Sequence, residues 1–534
     1  MSSNFSTNPS TNVSVTDIEA QLDSIALSAT PTLNGCPDDE KKTTELDSKI
    51  INDDDHDQIQ VLSPLRKKLV LAILSCAQFF DIFNACAVII ALPDLQEDLH
   101  FDEGTIQWVL AAYTLTFAAF MLMSGRISDM FHPKPVFVIG FLIIGVFSIP
   151  IGASVNPIMA IVLRAVQGIG AAMNIPSAIA MITTSFPDPV ERGRAYAIYG
   201  AFGAIGNCLG FILGGVISSR ASWRWDSCAD ENPIVFYLLA ILVIPFSLAS
   251  WFILPGTTSS EEKSQKKGLD WPGVASLTAG LILFVFAISE GSASGWNTAR
   301  VIAPLVISVF TFGAFFLIER IVKDPALPPR TWTNKNFTPL FFYGWTPYWW
   351  VFASEMQLVE VFTSLWGMST LSAAIRCLPL GIAGGTTAYL TGIFAPKVPR
   401  RVLLVSGQLF MAVGSILFAL ADDKEKYWSH IVPGMIIGMV GLGIAYTACT
   451  IVVMEGTRKG EEGVVSAVMY TSYQVGATLG LAVVASITLG VNSKLAQAEG
   501  TGSINEFTGY AASFWSLLGM NGLMVIITLL FVRN

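Results

Sequence analysis

Fourteen runs of about twenty or more largely apolar residues recur along the chain, at roughly 67–92, 106–125, 134–154, 157–182, 194–218, 232–254, 271–290, 301–319, 337–361, 367–392, 401–421, 430–454, 464–490 and 511–532. A helix needs about 20 such residues to cross a bilayer core, where water cannot satisfy its backbone. The pattern excludes a soluble body and predicts an all-α polytopic membrane protein with fourteen transmembrane helices. Composition agrees: 52% of the 534 residues are hydrophobic and 13% charged, too few charges to coat a soluble chain of this length.

Basic residues orient the crossings, because Lys and Arg are retained on the cytoplasmic side. With the N-terminus inside, twenty Lys and Arg flank cytoplasmic turns, among them Lys67, Lys134, Lys397 and Arg400, against six on the outer side, such as Arg220 and Arg300. Both termini are therefore expected in the cytoplasm. The formal charge of −9 comes entirely from residues 1–60, where twelve acids meet three lysines. Residues 1–65, rich in Ser, Thr, Asn and Asp, are read as a disordered acidic tail. Seven cysteines fall mostly inside apolar runs without a C-x-x-C pair, so neither disulfides nor zinc is expected.

The chain also repeats itself. "SGRISDMFHPKPVFVIG" at 124–140 is echoed by "TGIFAPKVPRRVLLVSG" at 391–407, 267 residues later; "GNCLG" at 206–210 by "GATLG" at 476–480, 270 later; and "GIGAA" at 168–172 by "GLGIA" at 441–445, 273 later. A nearly constant offset points to duplication. Two parallel repeats in a membrane protein predict two six-helix bundles with a binding site between them near mid-depth. The boundaries read from the runs are 66–254 for the first bundle, 255–320 for two inserted helices and 321–534 for the second.

"GRISDMFHPK", "RAVQGIGAA", "GNCLGFILGG", "WRW" at 223–225, "LDWPGVASLTAG" and "SAVMYTSYQVGATLGLA" together resemble the signature segments of the major facilitator superfamily. They are most similar to its fourteen-span drug:proton antiporter branch, in particular to fungal members, over about residues 66–534. The resemblance implies a major facilitator fold and export of small organic or toxic compounds by alternating access, coupled to protons. Expected partners are the lipid bilayer, a small-molecule substrate and protons, not nucleic acid; the expected state is a monomer in the plasma membrane. No G-x-x-x-x-G-K-[ST] or H-E-x-x-H segment is present, so no enzyme activity and no cofactor is expected. A facilitator or importer of a small nutrient or cation, and a non-transporting membrane sensor, are the alternatives.

Individual residues then take candidate roles. Gly125, Asp129 and Lys134 match the superfamily's loop after span 2, where Met130, His132 and Pro133 replace its usual Arg, Gly and Arg. They are read as a conformational latch, Asp129 accepting from a neighbouring helix N-terminus or an arginine; a plain basic turn is the alternative. Arg164 is an ionised group inside a span, which costs at least ~2.5 kcal/mol unless matched. Asp81 in span 1 lies at a similar depth, so the two are read as a proton-coupling pair or, alternatively, a permanent ion pair. The family's span 1 acid would fall at Asn84, one turn on and on the same helix face. Gly206, Gly210, Gly214 and Gly215 form a small-residue stripe suited to close helix packing, with Phe211 where the family's antiporter segment has Pro. By the repeat, span 9 corresponds to span 1, and Trp345, Trp349, Phe352 and Glu355 recur along it at helical spacing. They are read as a wall for flat, amphipathic or cationic molecules, or alternatively as packing or an interfacial belt, with Glu355 and Glu360 as solvated rim charges near the outer end. Asn84, Gln167 and Gln474 are further polar substrate candidates, and Pro347 is expected to kink span 9.

Overall fold

A proline preceded by a short polar residue opens several crossings of the computed structural model, because Pro fits the first helical position and the polar side chain caps the orphaned N–H groups behind it. Ser63 Oγ accepts from Arg66 N at 3.4 Å, Asn156 Oδ1 from Met159 N at 2.8 Å, and Asp188 Oδ2 from Glu191 N at 2.7 Å. The structure describes residues 63–101, 106, 108–220, 234–255, 270–322, 325, 327, 329–334, 336–458, 461–499 and 507–532. The acidic segment up to residue 62, the "WRW" segment, Cys36 and Cys228 lie outside them.

The helices are α1 (Pro64–Asp98), α2 (Trp108–Phe131), α3 (Pro133–Gly152), α4 (Pro157–Ser185), α5 (Pro189–Arg220), α6 (Ile234–Ile253), α7 (Trp271–Ser294), α8 (Ala299–Ile321), α9 (Phe337–Tyr343), α10 (Trp345–Glu360), α11 (Thr370–Arg376), α12 (Leu378–Phe394), α13 (Arg400–Ala419), α14 (Ile431–Glu455), α15 (Glu462–Glu499) and α16 (Phe507–Phe531). Among the described residues, thirteen helices are long and apolar enough to cross a membrane. The fourteenth crossing is present but interrupted, as α9 and α10. Pro347 cannot donate to the Tyr343 carbonyl, and Thr346 Oγ1 donates to it instead at 2.8 Å. The break thus falls at Gly344, three residues before the proline expected to kink the span. Beyond α10 a single π-turn spans Val361–Leu365, with Trp366 N donating to Val361 O at 2.9 Å. The tenth crossing is also divided, at Cys377 between α11 and α12.

Helices α1–α6 pack among themselves, as do α10 and α12–α16. The two groups meet along two seams, α2 against α15 and α5 against α11 and α12. The duplication is visible in the packing. Gly140 of α3 meets Gly170 of α4, where an added Cβ would come 2.7 Å from the Gly170 carbonyl, and Gly441 of α14 meets Gly407 of α13 at 2.5 Å. The later helix is therefore related by 271 residues at this contact, two fewer than the "GIGAA" alignment suggests. The inserted pair α7 and α8 lies outside the α2/α15 seam: Thr278 Oγ1 donates to Ala119 O of α2 at 3.0 Å, and Trp296 Nε1, just beyond α7, donates to Ser486 Oγ of α15 at 3.0 Å. α8 touches mainly α7 and presents Val309, Phe310, Leu317 and Ile321 outward, as expected of a lipid-facing helix.

The turns that begin at Lys67, Lys134 and Arg400 share one end of the bundle, here termed the basic end. Lys67 pairs with Glu191 at 3.1 Å, Arg330 with Glu461 at 2.9 Å, and Arg400 with Glu455.

Candidate functional site

Between the bundles, α1, α5, α10, α12 and α14 enclose a cavity with about 590 Å³ of space between atoms, part of it continuous with the outside. Small residues on α5 and α12 open it: an added Cβ on Gly203 would meet Gln78 Cγ at 2.8 Å, and one on Gly200 would meet the Tyr446 ring at 3.0 Å. Tyr348, Tyr446, Tyr470 and Tyr473 cluster at one side, with ring centroids of Tyr348 and Tyr446 stacked 6.2 Å apart and those of Tyr446 and Tyr473 5.3 Å apart. Gln78 ties this box to α1. Its Nε2 donates to Tyr348 Oη at 3.0 Å and its Oε1 accepts from Tyr470 Oη at 3.2 Å, while the Tyr446 and Tyr470 hydroxyls share a hydrogen bond.

Two turns along α10 from Tyr348 stands Glu355, 2% exposed. Its Oε1 accepts from Asn207 Nδ2 at 2.7 Å, and Oε2 has no hydrogen-bond partner. Among the described lining residues it carries the one formal charge, and no Lys, Arg or His lines the cavity. A buried carboxylate without a counter-ion is costly unless a ligand or a proton satisfies it.

Of the substrate candidates read from the sequence, Phe352 and Glu355 line this cavity; Asn84, Gln167, Trp345, Trp349 and Gln474 do not. The two tryptophans turn to α15, where an added Cβ on Gly476 would lie 2.1 Å from Trp345 O and one on Gly480 would lie 2.6 Å from the Trp349 ring. They pack within the second bundle, because the helix rotates about 100° between Tyr348 and Trp349, enough to exchange cavity for neighbour. Tyr348, Tyr446, Gln78 and Asn207 were missed. Asn207 had a signal: an amide inside an apolar run, set between glycines in "GNCLG".

A second polar cluster lies wholly within the first bundle. Arg164 is fully buried. Its Nη1 donates to Asn84 Oδ1 at 3.0 Å and to Gln167 Oε1 at 2.9 Å, and its Nε donates to Val109 O at 3.1 Å. Asp81 instead accepts from Tyr113 Oη at 2.8 Å, and the Tyr113 ring lies under the guanidinium, 4.4 Å from its Cζ. The direct Asp81–Arg164 pair expected from matching depths is not formed in this conformation. Asp81 stands one turn nearer the basic end, so Asn84 comes level with the arginine and Tyr113 occupies the space between. Gln167 is a strut between helices: its Nε2 donates to Ser148 Oγ at 2.7 Å and to Ile144 O at 3.2 Å on α3.

At the basic end of the α2/α15 seam, the Asp129 carboxylate crosses to the other bundle. Gly463 N donates to Oδ1 at 3.1 Å and Val464 N to Oδ2 at 3.0 Å. These are orphan donors of the first turn of α15, so Asp129 serves as its N-cap from another helix. Gly125 and Gly463 permit the approach, an added Cβ on Gly125 lying 2.6 Å from the Gly463 carbonyl. Lys134, grouped with them in the sequence, is not part of this contact: its Nζ donates to Leu254 O at 2.8 Å and lies 5.3 Å from the Trp251 ring, joining α3 to the end of α6. The glycine stripe of α5 also divides. Gly206 and Gly210 pack on α1, with added Cβ atoms 2.4 Å from Phe79 O and 2.9 Å from Phe83 O, whereas Gly215 faces Ala374 of α11 across the second seam at 3.0 Å. Gly214 is buried.

Residues 74–481 match the Major Facilitator Superfamily, which covers most of the chain and both bundles. The chain belongs to the Major Facilitator Superfamily. Among its relatives are the puromycin resistance protein pur8 of Streptomyces alboniger, 30% identical over 81% of this chain and 84% of that one, and the multidrug transporter mfsC of Aspergillus fumigatus, 28% identical over 85% of each. The fold is that of solved superfamily members such as the proton:xylose symporter XylE, with a TM-score of 0.62 at 14% identity over 88% of this chain and 97% of that one.

Within the superfamily pattern one departure has a conformational cost. His132 stands where the loop after span 2 usually has Gly, and its φ is +70° with ψ 136°. An L side chain is strained there.

Proposed function

We propose that this superfamily member exports small organic compounds by alternating access, exchanging them for protons, with the inter-bundle cavity as the solute site. The observation that carries the reading is Glu355, a carboxylate buried between two pseudo-symmetric bundles without a counter-ion. Relatives named for puromycin resistance and multidrug transport support the direction of movement. Asp81 is the coupling acid in this reading. When it is ionised, Tyr113 Oη is held to it and the ring stays under Arg164; protonation weakens that bond and frees the tyrosine, altering how α1, α2 and α4 pack. The latch is Asp129 on α15, supported by Gly125 and Gly463, and its release opens the basic end of the seam. The glycines of α5 are the surfaces along which α1 and α11 slide. The protein acts as a monomer in the plasma membrane with both termini and the basic end cytoplasmic, in keeping with the distribution of Lys and Arg.

The test is flux in proteoliposomes containing the full chain, loaded with a panel of fluorescent toxic compounds under an imposed pH gradient. Exchange is expected to acidify the compartment that the solute leaves, because the proton enters as the solute departs, and Asp81→Asn is expected to retain solute binding while losing gradient-driven accumulation. Solute movement without proton movement would make the protein a facilitator; binding without any flux would make it a sensor.

A further inference from the structure

Counting hydrogen-bond capacity around the cavity leaves an imbalance of one kind. Gln78 is satisfied at both ends by Tyr348 and Tyr470, and the Tyr446 hydroxyl by Tyr470. Asn207 uses its amide N–H groups on Glu355 Oε1 and on Cys86 Sγ at 3.3 Å. A carboxylate can only accept, so the amide nitrogen must face Glu355 and the amide oxygen must point elsewhere. Two atoms therefore remain without partners, Glu355 Oε2 and Asn207 Oδ1, and both are acceptors. They sit on side chains 2% and 6% exposed, on α10 and α5, on opposite sides of the gap between the bundles. The cavity lacks a donor, and a positively charged one, since nothing basic lines it.

We infer that the site selects solutes bearing a cationic N–H, a protonated amine on a flat apolar body, with Glu355 and Asn207 as its joint acceptors. This rests on the cavity being the solute site as proposed above. A quaternary ammonium supplies the charge but no N–H, and an alcohol supplies a donor without charge; each meets half of the requirement. The faces of Tyr348, Phe352 and Tyr446 accommodate the apolar body and add cation–π attraction for either cation. What separates amine from quaternary ammonium is therefore the hydrogen bonding alone.

The experiment compares three ligands with the same flat body on the full chain in lipid nanodiscs: protonated 1-naphthylmethylamine, whose ammonium can donate to both acceptors, its N,N,N-trimethyl quaternary salt, and 1-naphthylmethanol. Affinities are read by titration calorimetry at about pH 7, where the amine is protonated. The amine is expected to bind about 10-fold or more tightly than the quaternary salt, the usual scale for a hydrogen bond to a charged group. In Glu355→Gln the amine is expected to fall to the affinity of the alcohol. A quaternary salt bound as tightly as the amine overturns the inference, with no variant needed, and so does an amine preference that survives Glu355→Gln. If the preference is found but proteoliposomes move none of the three ligands, the transport reading fails and the site assignment stands. If other solutes are pumped while no amine preference exists, this inference alone fails.

Discussion

Replacing Asp129 with Asn tests how the α2/α15 seam is held. The carboxylate accepts two backbone N–H groups of α15, Gly463 at 3.1 Å and Val464 at 3.0 Å, one on each oxygen. An asparagine of the same shape offers one acceptor and presents an NH2 group to the second donor. The closed seam thus loses one charge-assisted hydrogen bond, about 1.5–3 kcal/mol, and the remaining bond loses its charge. That shifts the closed–open equilibrium about 10- to 150-fold toward opening at the basic end. Ser128, 1% exposed and adjacent to the contact, is a suitable reporter. With Ser128→Cys in place, maleimide labelling at position 128, quantified by mass spectrometry, follows the open fraction. Asp129→Asn is expected to raise the labelling rate by at least 10-fold. Gly463→Ala should act in the same direction, because its Cβ would come 2.2 Å from Asp129 Oδ1 and 2.9 Å from the Gly125 carbonyl. Unchanged labelling in both variants would refute the idea that this contact holds the seam shut.

Two other substitutions separate the remaining parts. Tyr113→Phe keeps the ring beneath Arg164 and removes the bond to Asp81, so accumulation driven by a pH gradient is expected to fall at least about 10-fold while solute affinity at equilibrium stays the same. His132→Gly relieves a left-handed φ that costs about 1–3 kcal/mol in an L residue, partly offset by the greater freedom of unfolded Gly. A net gain of about 1 kcal/mol is expected, seen as a higher unfolding temperature in detergent; a lower one would show that the imidazole makes a compensating contribution.

The number of crossings was readable because apolar run length is a direct consequence of bilayer thickness. The interruption at Gly344 was less so: proline placement announces a bend but not which carbonyl is released or which side chain takes it up. Depth along a helix was readable to about one turn, but not which neighbour a side chain meets. Depth counting could place an acid near Arg164, yet Asp81 and Asn84 differ by only ~4.5 Å along the axis, and Tyr113, which decides between them, comes from another helix. The repeat directs attention to α10 as the counterpart of α1, and α10 lines the cavity. Which of its aromatic residues face the cavity depended on a single residue of rotation, set by the glycines of α15 against Trp345 and Trp349.

The clasp made by Thr278 and Trp296 makes the molecule's two flanks unequal. On one flank a pair of helices straddles the join between bundles, reaching α2 with one hydrogen bond and α15 with the other. On the other flank α5 meets α11 and α12 with no such cover among the described residues. A solute dissolved in the membrane that approaches sideways therefore meets a screened wall on the first flank and, among the described residues, an uncovered join on the second.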